Sequence, residues 1–226
     1  PKNFMANGTA FPNPEQPRRI DVLKEGALTA GCQFSQPNDH GLGPIAEVHT
    51  AEYLVFLKNI HERWKRIEGS SDEVIPNVHP DRREAHYPKS AVGQAGYHQA
   101  DTACPIASGT WEAAYWSAQT ALTGADILLS GGKAAYALSR PPGHHAFSDL
   151  AGGFCFLNNT AIAADWLLKA GKKPAILDVD VHHGNGTQGI FYDRADVLTI
   201  SLHADPERFY PFFWGAAQER GQGAGL

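Results

Sequence analysis

Asp178, Asp180, His182 and His183 follow one another at the end of an apolar run, P-A-I-L-D-V-D-V-H-H-G-N-G at 174–186. Side chains two apart on a strand share a face, so Asp178, Asp180 and His182 can point into one crevice. Two carboxylates and an imidazole gathered there are costly to desolvate without a cation. A divalent metal satisfies them, and Asp/His ligation with a free position suits catalytic zinc or a similar ion. A plainer reading is a strand end whose acids cap the next helix and whose histidines are solvated; an isolated Asp-x-Asp does not exclude it. A second pair, His144 and His145, follows a Pro-Pro-Gly turn and favours the metal. The two clusters together suit metal-assisted hydrolysis: a bound ion acidifies water and polarises a carbonyl, and an unligated histidine carries the proton.

The surrounding pattern must bring those clusters together. Ala175, Ile176, Leu177, Val179 and Val181 predict a buried parallel strand, with its polar residues at the C-terminal end. Ligands bind at that end in open α/β sheets. Residues 133–140 (K-A-A-Y-A-L-S-R) predict a second strand and 196–203 (D-V-L-T-I-S-L-H) a third. Helical spacing predicts an amphipathic helix over 50–67, with Thr50 as its N-cap and Tyr53, Leu54, Leu57, Ile60, Trp64 and Ile67 inward. Further helices are predicted over 20–27, over 110–122 with Gly124 closing it, over 158–170, and briefly over 187–192. Residues 1–18 read as an irregular loop. Residues 69–108 read as a long polar connection carrying His79, His86 and His98 as surface histidines. The alternation implies an α/β fold, a mostly parallel sheet covered by helices on both faces.

A net charge of −5, with no basic arm, disfavours nucleic acid as a partner. Cysteines at 32, 104 and 155 lack C-x-x-C spacing, which argues against a disulfide framework or a thiolate zinc site and favours a reducing cytoplasm. No apolar run reaches membrane-spanning length. The expectation is one domain over 1–226, incomplete at both ends, with the C-terminal part of the fold absent.

Four ordered motifs carry a resemblance: R-P-P-G-H-H-A at 140–146, G-G-F-C-F-L-N-N at 152–159, D-V-D-V-H-H-G-N-G-T-Q at 178–188 and S-L-H at 201–203. Together with V-H-T-A-E-Y-L-V-F-L at 48–57 and S-G-T-W-E-A-A at 108–114, they resemble the histone deacetylase and acetylpolyamine amidohydrolase family. The insertion at 69–108, with D-T-A-C-P-I at 101–106, looks more like the bacterial acetylpolyamine amidohydrolase branch. The resemblance implies zinc ligation by Asp180 and His182, and a general base, then acid, in His145. It implies that His144 is the electrostatic partner of His145, oriented by Asp178, and that Asn185 supports His145 where other members place aspartate. Gly153 would offer its carbonyl to the substrate amide. Phe154 and Tyr210 would wall a channel for the substrate's methylene chain, Tyr210 standing where relatives carry phenylalanine. Asp101 would meet a distal ammonium. A structural potassium would sit on Asp178, Ser201 and the backbone carbonyls of Asp180, His182 and Leu202. A homodimer of the full-length form is also implied. His183, His203 and Cys155 are expected to be structural.

The family's third zinc ligand, an aspartate, and its transition-state tyrosine have no counterpart in the chain, so the isolated polypeptide is expected to be poorly stable and inactive. The expected reaction is hydrolysis of acetylated amines, acetylpolyamines first and acetyl-lysine in protein second, with Fe(II) or Co(II) as acceptable substitutes for zinc. Rival readings are a non-catalytic module that binds acetylated amines and an arginase-like manganese hydrolase. In the latter, acids would replace His182 and His183.

Overall fold

Ile176 is buried while Leu177 is 61% exposed, which shows that only one face of the central strand is covered among the described residues. The computed structural model describes residues 2–81 and 86–225. Strand β3 (Ala175–Asp178) pairs in parallel with β4 (Leu198–Ser201), setting Asp178 opposite Ser201. Helices α6 (Asn159–Lys169) and α7 (Asn185–Phe191) pack on the Ile176 face. Leu198 and Ile200 share the exposed face with Leu177.

The predicted strand ends earlier than its apolar run. Asp178 Oδ1 accepts the Asp180 N–H at 3.0 Å, and Asp180 Oδ1 accepts the His182 N–H at 2.8 Å. These two successive side-chain turns divert the backbone from the sheet, as short acidic side chains commonly do. Val179 and Val181 are therefore exposed rather than buried.

Helix α3 (Ala51–Trp64) begins where its N-cap predicts, with Thr50 Oγ1 accepting the Tyr53 N–H. Tyr53, Leu57 and Ile60 are buried, and the Tyr53 hydroxyl donates to the Phe156 carbonyl at 2.7 Å. Beside it, His49 Nε2 accepts the Asn158 N–H at 2.9 Å. Asn158 in turn caps α6 through its side chain. This chain of contacts fixes the loop at 152–158 from below.

Five expectations need correction. Helix α5 spans Thr110–Leu129 and passes straight through Gly124, because packing along α6 outweighs the roughly 1 kcal/mol that a helical glycine costs. Residues 133–140 form no strand; residues 133–136 are exposed and find no ladder partner among the described residues. The first eighteen residues contain a hairpin, β1 (Asn3–Ala6) and β2 (Thr9–Pro12), closed by Asn7 and Gly8 at φ 51° and 75°. That Asn-Gly pair is the preferred chemistry of a two-residue hairpin turn. The predicted helix at 20–27 is α1 (Arg18–Thr29), and it buries only Ala27. The short helix α2 spans Gly43–Ala46, and the polar connection over 69–108 holds a helix of its own, α4 (Ala91–His98). His98 on α4 is fully buried rather than at the surface, with Nδ1 donating to the Asp149 carbonyl at 2.7 Å and Nε2 accepting from the Tyr87 hydroxyl.

Candidate active site

The His144 and His145 rings lie 4.0 Å apart, centroid to centroid, tilted by 43°, and each is held by a different partner. The His144 Nδ1–H donates to Asp178 Oδ2 at 2.8 Å. The His145 Nδ1–H donates to Asn185 Oδ1, also at 2.8 Å. Asp178 ends β3 and Asn185 begins α7, so the sheet and its following helix orient the two rings. With Nδ1 committed, Nε2 is the nitrogen of His145 that can accept a proton. Gly184 lies between these partners because a Cβ there would stand 2.3 Å from Asp178 Oδ2.

Burial pushes His145 down to about 3, with the neighbouring His144 second and His182 adding to it, against the hydrogen bond it donates to Asn185. Burial raises the Asp178 carboxyl, but the hydrogen bond and charge of His144 outweigh it and leave the group below its ordinary value. His145 is therefore held neutral and Asp178 ionised.

The His182 ring lies 6.0 Å from that of His145, centroid to centroid. His182 Nδ1 stands 3.1 Å from Asp180 Oδ1, and both side chains are partly open to solvent. Two ligands at about 2.0–2.1 Å from a tetrahedral zinc stand about 3.3 Å apart, so this oxygen and nitrogen fit two corners of such a site. Among the described residues no group of three or more His, Cys, Asp or Glu side chains could hold a metal. Asp178, Ser201 and Leu202 meet across the β3–β4 register, where the Leu202 N–H donates to the Asp178 carbonyl at 2.9 Å.

A tight turn closes the other side. Gly152 and Cys155 exchange backbone hydrogen bonds, with Gly153 and Phe154 at φ 49° and 69° between them. A Cβ on Gly153 would lie 2.3 Å from His145 Cδ2, so only glycine lets the backbone approach His145 so closely. The Tyr210 ring meets His145 edge-on at 4.8 Å and 88°. Its hydroxyl donates to Asp101 Oδ2 at 2.6 Å. Asp101 Oδ2 also accepts the Gly153 N–H at 3.1 Å, and Oδ1 accepts the Ala103 N–H at 2.7 Å. The sequence assigns Asp101 to a distal ammonium; the structure gives its carboxylate three hydrogen bonds already.

His144, His145, Asp178, Asp180, His182, Asn185, Gly153, Tyr210 and Asp101 thus share one site, and Phe154 follows Gly153 in the turn. Phe4 of the hairpin packs edge-on against Phe154 at 5.6 Å, and Phe209 lies 6.0 Å from His182; sequence reasoning named neither. The Asn-Gly turn would have located the first. His183 is buried on the far side, its ring 4.4 Å from that of His203, whose Nε2–H donates to the Gly215 carbonyl. Cys155 is buried, which pushes its thiol well above the ordinary range and leaves it inert.

A profile of the histone deacetylase domain matches residues 13–226. The chain belongs to this family. It is 46% identical to the acetylpolyamine amidohydrolase of Burkholderia pseudomallei, over 100% of this chain and 66% of that protein. It is also 46% identical to the acetylpolyamine amidohydrolase of Mycoplana ramosa, over 99% of this chain and 66% of that protein. The crystal structure of acetylpolyamine aminohydrolase from Burkholderia pseudomallei superposes with a TM-score of 0.96, covering 100% of this chain and 66% of its own. The chain therefore carries the family's α/β fold, with its mostly parallel sheet flanked by helices, and spans 66% of the length of these relatives. No described helix is long and apolar enough to cross a membrane.

Proposed function

We propose that this chain carries the base-bearing part of a zinc-dependent amidohydrolase that removes acetyl groups from primary amines. The observation that supports it best is the meeting of His145 with Asp180 and His182: a buried imidazole, anchored at Nδ1 by Asn185, lies 6.0 Å ring to ring from His182, whose Nδ1 stands 3.1 Å from Asp180 Oδ1. Zinc held by Asp180 and His182, together with a ligand outside the described residues, would supply Lewis-acid polarisation of the acetyl carbonyl and acidify water.

His145 Nε2 takes the proton from the attacking water as the new C–O bond forms. It returns that proton to the amine nitrogen as the C–N bond breaks, which yields acetate and the free amine. His144, hydrogen-bonded to ionised Asp178, sets the field in which His145 gains and loses charge. The Gly153 carbonyl accepts the substrate's amide N–H, while Phe154 and Tyr210 guide the methylene chain. Potassium on Asp178, Ser201 and the Asp180, His182 and Leu202 carbonyls would stiffen the strand ends. The names of the two relatives at 46% identity favour acetylpolyamines over acetyl-lysine in protein. A homodimer in the cytoplasm accords with the same reading.

The test compares kcat/KM for acetylputrescine and for an acetyl-lysine peptide. It uses the metal-loaded chain extended to the length of the family domain. The polyamine reading expects the diamine derivative to be preferred; a clear preference for the peptide would contradict it.

A further inference from the structure

We infer that Asp101 is a positioning residue whose carboxylate sets the gap between the two aromatic walls of the channel. It reaches Tyr210 directly and Phe154 through the neighbouring Gly153. Oδ2 accepts the Tyr210 hydroxyl at 2.6 Å, which holds that ring edge-on against His145. The same oxygen accepts the Gly153 N–H at 3.1 Å and so orients the turn that carries Phe154. Oδ1 is anchored to its own loop by the Ala103 N–H at 2.7 Å.

Three features make this more than incidental contact. The Tyr210 hydroxyl is what reaches Asp101; a phenylalanine there would leave the ring without that tie. The Gly153–Phe154 turn holds two successive residues at positive φ, and Phe154 gains no glycine-like freedom there. Such a conformation persists only where its surroundings over-determine it, and the Asp101 bond to the Gly153 N–H is one of the constraints. Finally, Asp101 is itself steadied from the hairpin side. Its neighbour Thr102 donates through Oγ1 to the Met5 carbonyl at 3.0 Å, and Phe4 beside Met5 packs on Phe154. Hairpin, Asp101 loop and Gly-Gly-Phe turn thus close a ring of contacts, and Tyr210, edge-on to His145, is tied to it through Asp101.

The inference deepens the deacetylation proposal and rests on it. It also differs from an ammonium-receptor role in a measurable way. A receptor acts through charge on the substrate, whereas a wall-setting residue acts on any chain that fits. The variants are Tyr210→Phe, Asp101→Asn and Asp101→Ala, each in the metal-loaded protein extended to the family length. The substrates are acetylputrescine and its uncharged isostere N-pentylacetamide. Wild-type turnover of acetylputrescine tests the function proposal; the ratios between variants test this one.

We expect Tyr210→Phe to lower kcat/KM about tenfold and Asp101→Ala about a hundredfold, mainly in kcat, because a misplaced chain reaches the base poorly. The fold-loss should be the same for the charged and uncharged substrates. Asp101→Asn should lose less than Asp101→Ala, because its amide oxygen can still accept from Tyr210 and Gly153 while its NH2 cannot accept the Ala103 N–H. Asp101→Ala made on the Tyr210→Phe background should cost less than on the wild type, since one of its two branches is already gone. Tyr210→Phe deletes a single hydroxyl and serves as the mild variant if Asp101→Ala fails to fold. Losses confined to the charged substrate, or full additivity of the two substitutions, would overturn the inference.

Discussion

His145 donates its Nδ1–H to Asn185 Oδ1 at 2.8 Å, so the base leans on a neutral amide rather than on a carboxylate. Burial and the adjacent His144 already press its imidazole down to about 3. Asn185→Asp would add a negative charge at that distance and favour the imidazolium, which raises the pKa. The acid limb of the pH dependence of kcat/KM, which marks protonation of the base, should then move to higher pH by about one unit or more. An unmoved limb would separate Asn185 from the base.

Gly153→Ala should lower kcat/KM by about a hundredfold or more, because its Cβ would lie 2.3 Å from His145 Cδ2 and the residue sits at φ 49°. Steady-state kinetics at saturating metal measure this. A variant within severalfold of wild type would mean that the turn is free to move off the base.

His49 offers a pH test of stability well removed from the metal ligands. It is fully enclosed and held down at about 4, chiefly by burial, against hydrogen bonds to the Ser148 and Phe147 carbonyls. Above about pH 6.5 it is neutral in both folded and unfolded chains and contributes no slope. As pH falls below 6.5 the unfolded chain takes up a proton that the folded chain refuses, so stability declines until the folded pKa near 4 is reached. The total loss from this group is about 3 kcal/mol. Urea unfolding of wild type and His49→Gln from pH 4 to pH 8 should show a shallower slope in the variant. Equal slopes would assign the acid sensitivity elsewhere.

Tyr53→Phe should lower stability by about 1–3 kcal/mol, because it strands the buried Phe156 carbonyl that the Tyr53 hydroxyl now serves at 2.7 Å. The urea midpoint should fall with an unchanged slope. An unchanged midpoint would mean that the carbonyl finds another donor.

The α/β class of the fold is legible in the sequence, and so is the grouping of the polar side chains at 144–145 and 178–185. Residues that bind through side chains at fixed offsets, such as Asp178, Asp180 and His182, can be read from spacing. The reason they meet was misread, however. They converge through two side-chain turns after the strand, not by alternation along it. Gly124 looked like a stop because local propensity is visible in sequence and the packing of α5 on α6 is not. Residues 133–140 have the composition of a strand, but a strand also needs a neighbour, and no composition supplies one. The Asn7-Gly8 turn is a local signal, but the prolines and asparagines around it share the composition of an irregular loop. The Asp101–Tyr210 bond joins residues 109 positions apart and leaves no local trace.

The central claim is that His145 moves the proton for a water activated beside Asp180 and His182. The most direct measurement is single-turnover hydrolysis of acetylputrescine by His145→Ala, with zinc content determined on the same sample of the family-length protein. The account predicts zinc bound at the wild-type stoichiometry and a rate lower by about 10²–10⁴-fold. Wild-type turnover in that variant, or loss of the zinc together with the rate, would contradict it.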